Sequence, residues 1–64
     1  MPNGTEENID KMELTFVRSY DTKHKTRFDE EAGNTVHIGY IYPFTEMIQS
    51  MGNPKRIRVT VEPL

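Results

Sequence analysis

From Leu14 onward, apolar and polar residues alternate with the period of a strand. In "LTFVRSY", Leu14, Phe16 and Tyr20 share one side, and Thr15, Val17 and Ser19 share the other. Asp21 to Lys23 reads as a turn, because Asp bonds backbone groups ahead of it. A second strand runs through Arg27 and Phe28, "EAGNT" gives the next reversal, and "TVHIGYIY" reads as a third strand with Val36, Ile38, Tyr40 and Tyr42 on one side. The period changes after Tyr42. Phe44, Met47, Ile48 and Met51 fall at i, i+3, i+4 and i+7, the apolar stripe of a short amphipathic helix that must lie on the sheet. Thr45 is placed to cap its start, Glu46 suits the positive end of its dipole, and Gly52 with Asn53-Pro54 ends it. "KRIRVTVEPL" closes the chain as a strand with Ile57, Val59 and Val61 inward and Arg56, Arg58, Thr60 and Glu62 outward. The expected fold is α+β: a small, mostly antiparallel sheet of about four strands with one short helix, in the order β-β-β-α-β.

Register follows from asking which pairing collects apolar residues on one face. A two-residue Gly33-Asn34 turn would pair Phe28 with Gly39 and set charged residues beside Val36 and Ile38. A three-residue Ala32-Gly33-Asn34 loop instead pairs Phe28 with Ile38, Thr26 with Tyr40 and Glu30 with Val36, and is preferred because one slip moves every side chain to the other face. A similar turn in the first hairpin sets Phe16 opposite Phe28.

Length narrows the picture. A 64-residue chain has room for one domain, and at this size about 60% of the unfolded surface is buried, so oligomerisation is the expected supplement and a homodimer the expected state. With no cysteine, disulfides and thiolate metal sites are excluded. The net charge of −2 hides a polarity: Glu6, Glu7, Asp10 and Glu13 face only Lys11 near the start, and the remainder is close to neutral. Residues 1–12 read as a disordered acidic tail, residues 13–64 as a single small domain, and Met12 as a candidate second start. The start lacks a cationic, apolar signal pattern and no stretch approaches a membrane span, so a cytoplasmic protein without a membrane partner is expected.

Candidate chemistry concentrates in "YDTKHKTRF". If Phe28 and Thr26 face the core, Lys23, Lys25 and Arg27 form a stripe on the other face, joined there by Arg56 and Arg58 and diluted by Asp29 and Glu62. Such a face engages nucleic-acid phosphates, with Tyr20 or His24 available to stack on a base. The competing readings are a solvated, edge-protecting surface and a contact for an acidic protein groove. His24 and His37 have no Cys or carboxylate cluster around them, so no metal is expected; His37 is expected across from Asp29 as a simple polar pair. Asp29, Glu30 and Glu31 alternate between faces and do not form an acid/base pair. No nucleophile, cofactor motif or phosphate loop stands out, so neither an enzyme nor a cofactor is expected.

"IGYIYPFTEMIQSMGNPKRIRVTVE", Ile38 to Glu62, carries a Gly (Gly39), an apolar strand, a Pro (Pro43), a short helix ending in Met51-Gly52 and the alternating strand Ile57-Val59-Val61. In this it resembles the AbrB/MazE swapped-hairpin domains. It departs from them in a Pro43-to-Gly52 interval longer than theirs by one residue, in lacking Gly-Asp before the last strand, and in the full hairpin that precedes the motif. The resemblance implies an intertwined homodimer that binds DNA, as a transcription regulator or antitoxin. Two function classes follow: a small non-enzymatic nucleic-acid-binding module, or a protein-binding inhibitor or adaptor, of phage or mobile-element type, acting through a sheet edge or the acidic tail.

Overall fold

The computed structural model describes residues 10–64. Strand β1 (Met12–Asp21) is followed by β2 (Thr26–Glu30), β3 (Tyr40–Ile41), the helix α1 (Thr45–Ser50) and β4 (Arg56–Val61). They form one antiparallel four-stranded sheet in the order β3-β2-β1-β4, with the short helix on one face, a small mixed α+β fold. No helix among the described residues is long and apolar enough to cross a membrane. The tail expected over residues 1–12 lies largely outside the described residues, but Met12 belongs to β1 and packs against the core.

The core is Leu14, Phe16, Phe28 and Ile48, with Met12, Ile41, Ile57 and Val59 packed around it. Leu14 and Phe16 turn inward as their alternation predicts, opposite Val59 and Ile57 of β4. Thr26 is fully buried beside Phe28, and its hydroxyl is satisfied by Asp21 Oδ1 at 3.0 Å and Thr45 Oγ1 at 2.9 Å. That hydroxyl joins the first hairpin to the start of the helix. Arg18 lies on the same face, opposite Phe28, where it donates to Asn53 and Asp21.

Both hairpin registers differ from expectation. Phe16 stands opposite Glu30, and Phe28 faces Arg18. The turn runs from Thr22 to Lys25, closed by the Thr22 amide on Lys25 O at 2.7 Å and by the Lys25 amide on Thr22 Oγ1 at 3.1 Å. A bulge between Arg18 and Tyr20 then inserts one residue into β1, which sends Tyr20 to the outer face, opposite Arg27, rather than inward with Leu14 and Phe16.

In the second hairpin Phe28 pairs with Ile41 and Asp29 with Tyr40. The expected strand over residues 35–42 is reduced to Tyr40–Ile41, so Ile41 faces the core and Tyr40 and Tyr42 face out. Val36 and Ile38 are exposed in a long connection. The cause is Glu30. Its Oε1 accepts the amides of His37 at 3.0 Å, Ile38 at 2.8 Å and Gly39 at 2.9 Å, so these donors are taken before the ladder resumes. His37 Nδ1 lies 3.1 Å from Glu30 Oε2, which replaces the expected pairing of His37 with Asp29.

Gly39 has φ +97°, a conformation that side chains disfavour, and this orients its amide toward Glu30. An added Cβ would meet nothing closer than Val36 Cγ1 at 3.8 Å. Gly39→Ala is therefore expected to cost about 1–2 kcal/mol through backbone strain alone, a loss that urea denaturation would register without loss of the fold.

The helix also differs. Of its apolar stripe only Ile48 is buried, while Phe44, Met47 and Met51 are exposed. Phe44 occupies the N-cap position with no side-chain cap, and Thr45, expected there, is the first helical residue. The stop is as the sequence indicates: Gly52 and Asn53 adopt positive φ and their amides return to Gln49 and Ile48 carbonyls at 3.1 and 2.9 Å.

Candidate functional site

The sheet face opposite α1 carries an aromatic cluster assembled by the two register features above. The bulge in β1 delivers Tyr20, and the late restart of β3 delivers Tyr40 and Tyr42. These are all three tyrosines of the chain. They surround the Arg27 guanidinium, whose central carbon lies 4.2 Å from the Tyr40 ring centroid, 5.7 Å from Tyr20 and 5.9 Å from Tyr42. Tyr40 and Tyr42 meet edge to face at 5.7 Å, and the Tyr20 and Tyr42 hydroxyls are 3.2 Å apart. Each of the three remains between 38% and 52% exposed.

Arg27 is held by Asp29, with Nε 2.7 Å from Oδ1. That pairing, reinforced by the tyrosine hydroxyls, raises the guanidinium pKa and keeps the charge fixed. The bond from Tyr42 lowers the Tyr20 phenol, with Arg27 adding to the effect, and the bond to Tyr20 raises Tyr42. Just before β2, at the end of the turn, Lys25 Nζ sits 5.0 Å from the centroid of the exposed Phe44 ring, the residue that bridges Lys25 across the sheet. Arg27 of β2 and Lys25 just before it thus stand beside aromatics from β1 and from the segment after Gly39, with exposed ring surface beside each charge.

The residues singled out from sequence divide into three groups. Arg27, Lys25 and Tyr20 come together on the outer face. Arg56 and Arg58 lie on that face too, at β4, but Arg56 is engaged by Glu31 at 2.8 Å, whereas Arg58 makes no ion pair with any described residue. Lys23 and His24 do not join the stripe. They line, with Phe44, Thr45, Glu46 and Gln49, a hollow of about 370 Å³ at the start of the helix, and the His24 carbonyl accepts the Thr45 amide at 2.9 Å. The i, i+2, i+4 stripe breaks because the turn occupies residues 22–25 and regular strand begins only at Thr26.

Tyr40, Tyr42 and Phe44 are the site residues that the sequence reading missed. Their signal is three aromatics at a spacing of two, which alternation alone places on the inner face and in the helix stripe. Among the described residues no three of His, Asp and Glu converge to hold a metal ion. No known protein family, curated protein or solved structure matches this chain.

Proposed function

We propose that the outer face of the sheet binds single-stranded nucleic acid. Tyr20, Tyr40, Tyr42 and Phe44 offer ring faces for bases, and Lys25, Arg27 and Arg58 neutralise phosphates. The observation that carries this reading is the cluster of three half-exposed tyrosines around one fixed guanidinium on an uncovered sheet face. Exposed aromatics are expensive on a merely solvated surface, and rings interleaved with cations suit a ligand that alternates flat bases with charge. A duplex hides its base faces, so the same surface favours an unpaired strand. The resemblance of Ile38 to Glu62 to the AbrB/MazE domains points to the same ligand class and to a regulatory or antitoxin-like role for a cytoplasmic, non-enzymatic protein.

The test uses labelled oligonucleotides of mixed sequence, single- and double-stranded, at ~50 mM salt, where nonspecific attraction is strong. Tyr40→Ala is expected to weaken single-strand binding about 5- to 150-fold, the range for one lost base stack. Lys25→Gln with Arg58→Gln is expected to shallow the dependence of log K on log salt by about 0.7 per lost contact. Because the chain has no Trp and all its tyrosines lie in this cluster, intrinsic fluorescence reports on the site alone. A chain that binds no oligonucleotide at that salt, or binds with unaltered tyrosine emission, refutes the reading.

A further inference from the structure

We infer that β4 is a dimerisation edge, pairing antiparallel with β4 of a second copy of this chain about a two-fold axis through Val59. The inference is independent of the nucleic-acid reading, since it rests on backbone geometry at the far edge of the sheet.

Strand β4 is an edge, paired only with β1. Arg18 donates its amide to Lys55 O at 2.8 Å, which fixes the phase of the ladder. In an antiparallel pair of constant register, Ile57, Val59 and Val61 then exchange bonds with β1, while the N–H and C=O groups of Arg56, Arg58 and Thr60 point away from it. The six-residue strand contains no Pro and no bulge to block addition of another strand. At the Val61 end of the edge, Met12, Leu14, Ile38 and Val61, together with the charged Lys11 and Glu62, line an open hollow of about 470 Å³ that no residue of α1 reaches.

Side chains select the register. Residues opposite one another in an antiparallel pair share a face, so only odd-with-odd and even-with-even pairings keep Ile57, Val59 and Val61 together on the core side. Centring the axis on Arg58 would set two like guanidinium groups face to face. Centring it on Thr60 would place Ile57 against the partner's Pro63, beyond the end of the strand. Centring it on Val59 stacks Ile57 on the partner's Val61, and Val59 on its own copy. On the outer face the same register sets Arg58 across from the partner's Thr60 and Arg56 across from the partner's Glu62. It also satisfies the outward backbone groups, because Arg58 and the partner's Thr60 then form a hydrogen-bonded pair. Glu62 makes no ion pair with any described residue of its own chain, so the second copy supplies one. The sheets join into one of eight strands.

Sedimentation of the full chain at ~100 μM is expected to give a dimer. Thr60→Pro removes an outward N–H while leaving the β1 ladder intact, and it is expected to yield a folded monomer. Glu62→Arg, a change at an exposed position beyond the end of the strand, is expected to raise the dimer dissociation constant tenfold or more, and Arg56→Glu combined with Glu62→Arg to recover part of that loss, since Arg56→Glu also gives up the Arg56–Glu31 pair within its own chain. A wild-type monomer at that concentration overturns the inference, as does a dimer that Glu62→Arg and Thr60→Pro leave unchanged, since that dimer would use another surface.

Discussion

Replacing Glu30 by Ala is expected to release residues 31–39 from the sheet and to lower the melting temperature by roughly 10 °C, a large shift for a domain of this size. The side chain is 3% exposed although it carries a charge. It persists there because three amides and the His37 ring converge on it, and a carboxylate that accepts several backbone donors is held in its ionised form. The Gly39 and Ile38 amides depress its pKa most, down to about 2 from an ordinary 4.5. Since the folded value lies below the unfolded one, the native state gains stability above about 4.5 and loses it progressively as the pH falls from there toward 2. Asp21 is shifted in the same direction, chiefly by Arg18 and then by the Thr26 hydroxyl, and contributes to the same acid limb. Glu30→Gln keeps an oxygen where the three amides point but removes the charge. It should therefore fold better than the Ala variant and show a flatter melting temperature between pH 5 and pH 2, as read by circular dichroism. A Gln variant with the parent's acid slope would mean that Glu30 does not carry the pH dependence.

The same carboxylate explains which parts of the fold the sequence made legible. Local alternation in Leu14–Phe16 and Ile57–Val61, the helix over Thr45–Ser50, and the stop at Gly52 all reflect interactions between near neighbours, and each is found where the pattern puts it. Register depends instead on which residue wins a backbone donor. Glu30 looks like one more solvated acid in "FDEEAG", and nothing local announces that it will cap a connection nine residues ahead. The bulge at Ser19 is equally silent, since "VRSYD" alternates as well with it as without it. These two shifts decide the site. Tyr20 crosses from the inner to the outer face by the first, and Tyr40 and Tyr42 do so by the second. Arg27, whose outward direction follows from Phe28 alone, was the part of the cluster that could be read directly. The grouping of the five expected cations is a question of turn geometry, and Thr22 decides it by closing the turn around Lys23 and His24.

Ile48→Ala is expected to remove most of the stability of the fold. Truncating a fully buried Ile typically costs 2–5 kcal/mol, and a single core in a chain this short rarely supplies more than about 3–5 kcal/mol in all. The helix has six residues, too few to persist unsupported, and Ile48 is its only buried side chain. Losing that contact undocks α1 and wets Phe16 and Phe28, with which Ile48 forms the buried core. It also pulls Thr45 away from the Thr26 hydroxyl, leaving a buried polar group with one partner instead of two. Met47→Ala and Met51→Ala provide the control. Both lie on the stripe that periodicity assigned to the core, yet both are more than half exposed, so each should change stability by no more than about 0.5 kcal/mol. Urea denaturation of the three variants separates a helix pinned at one point from one seated along its whole stripe. Comparable losses at Met47 and Ile48 would show that the stripe buries itself against something in solution, and would place a partner over the helix rather than at the β4 edge.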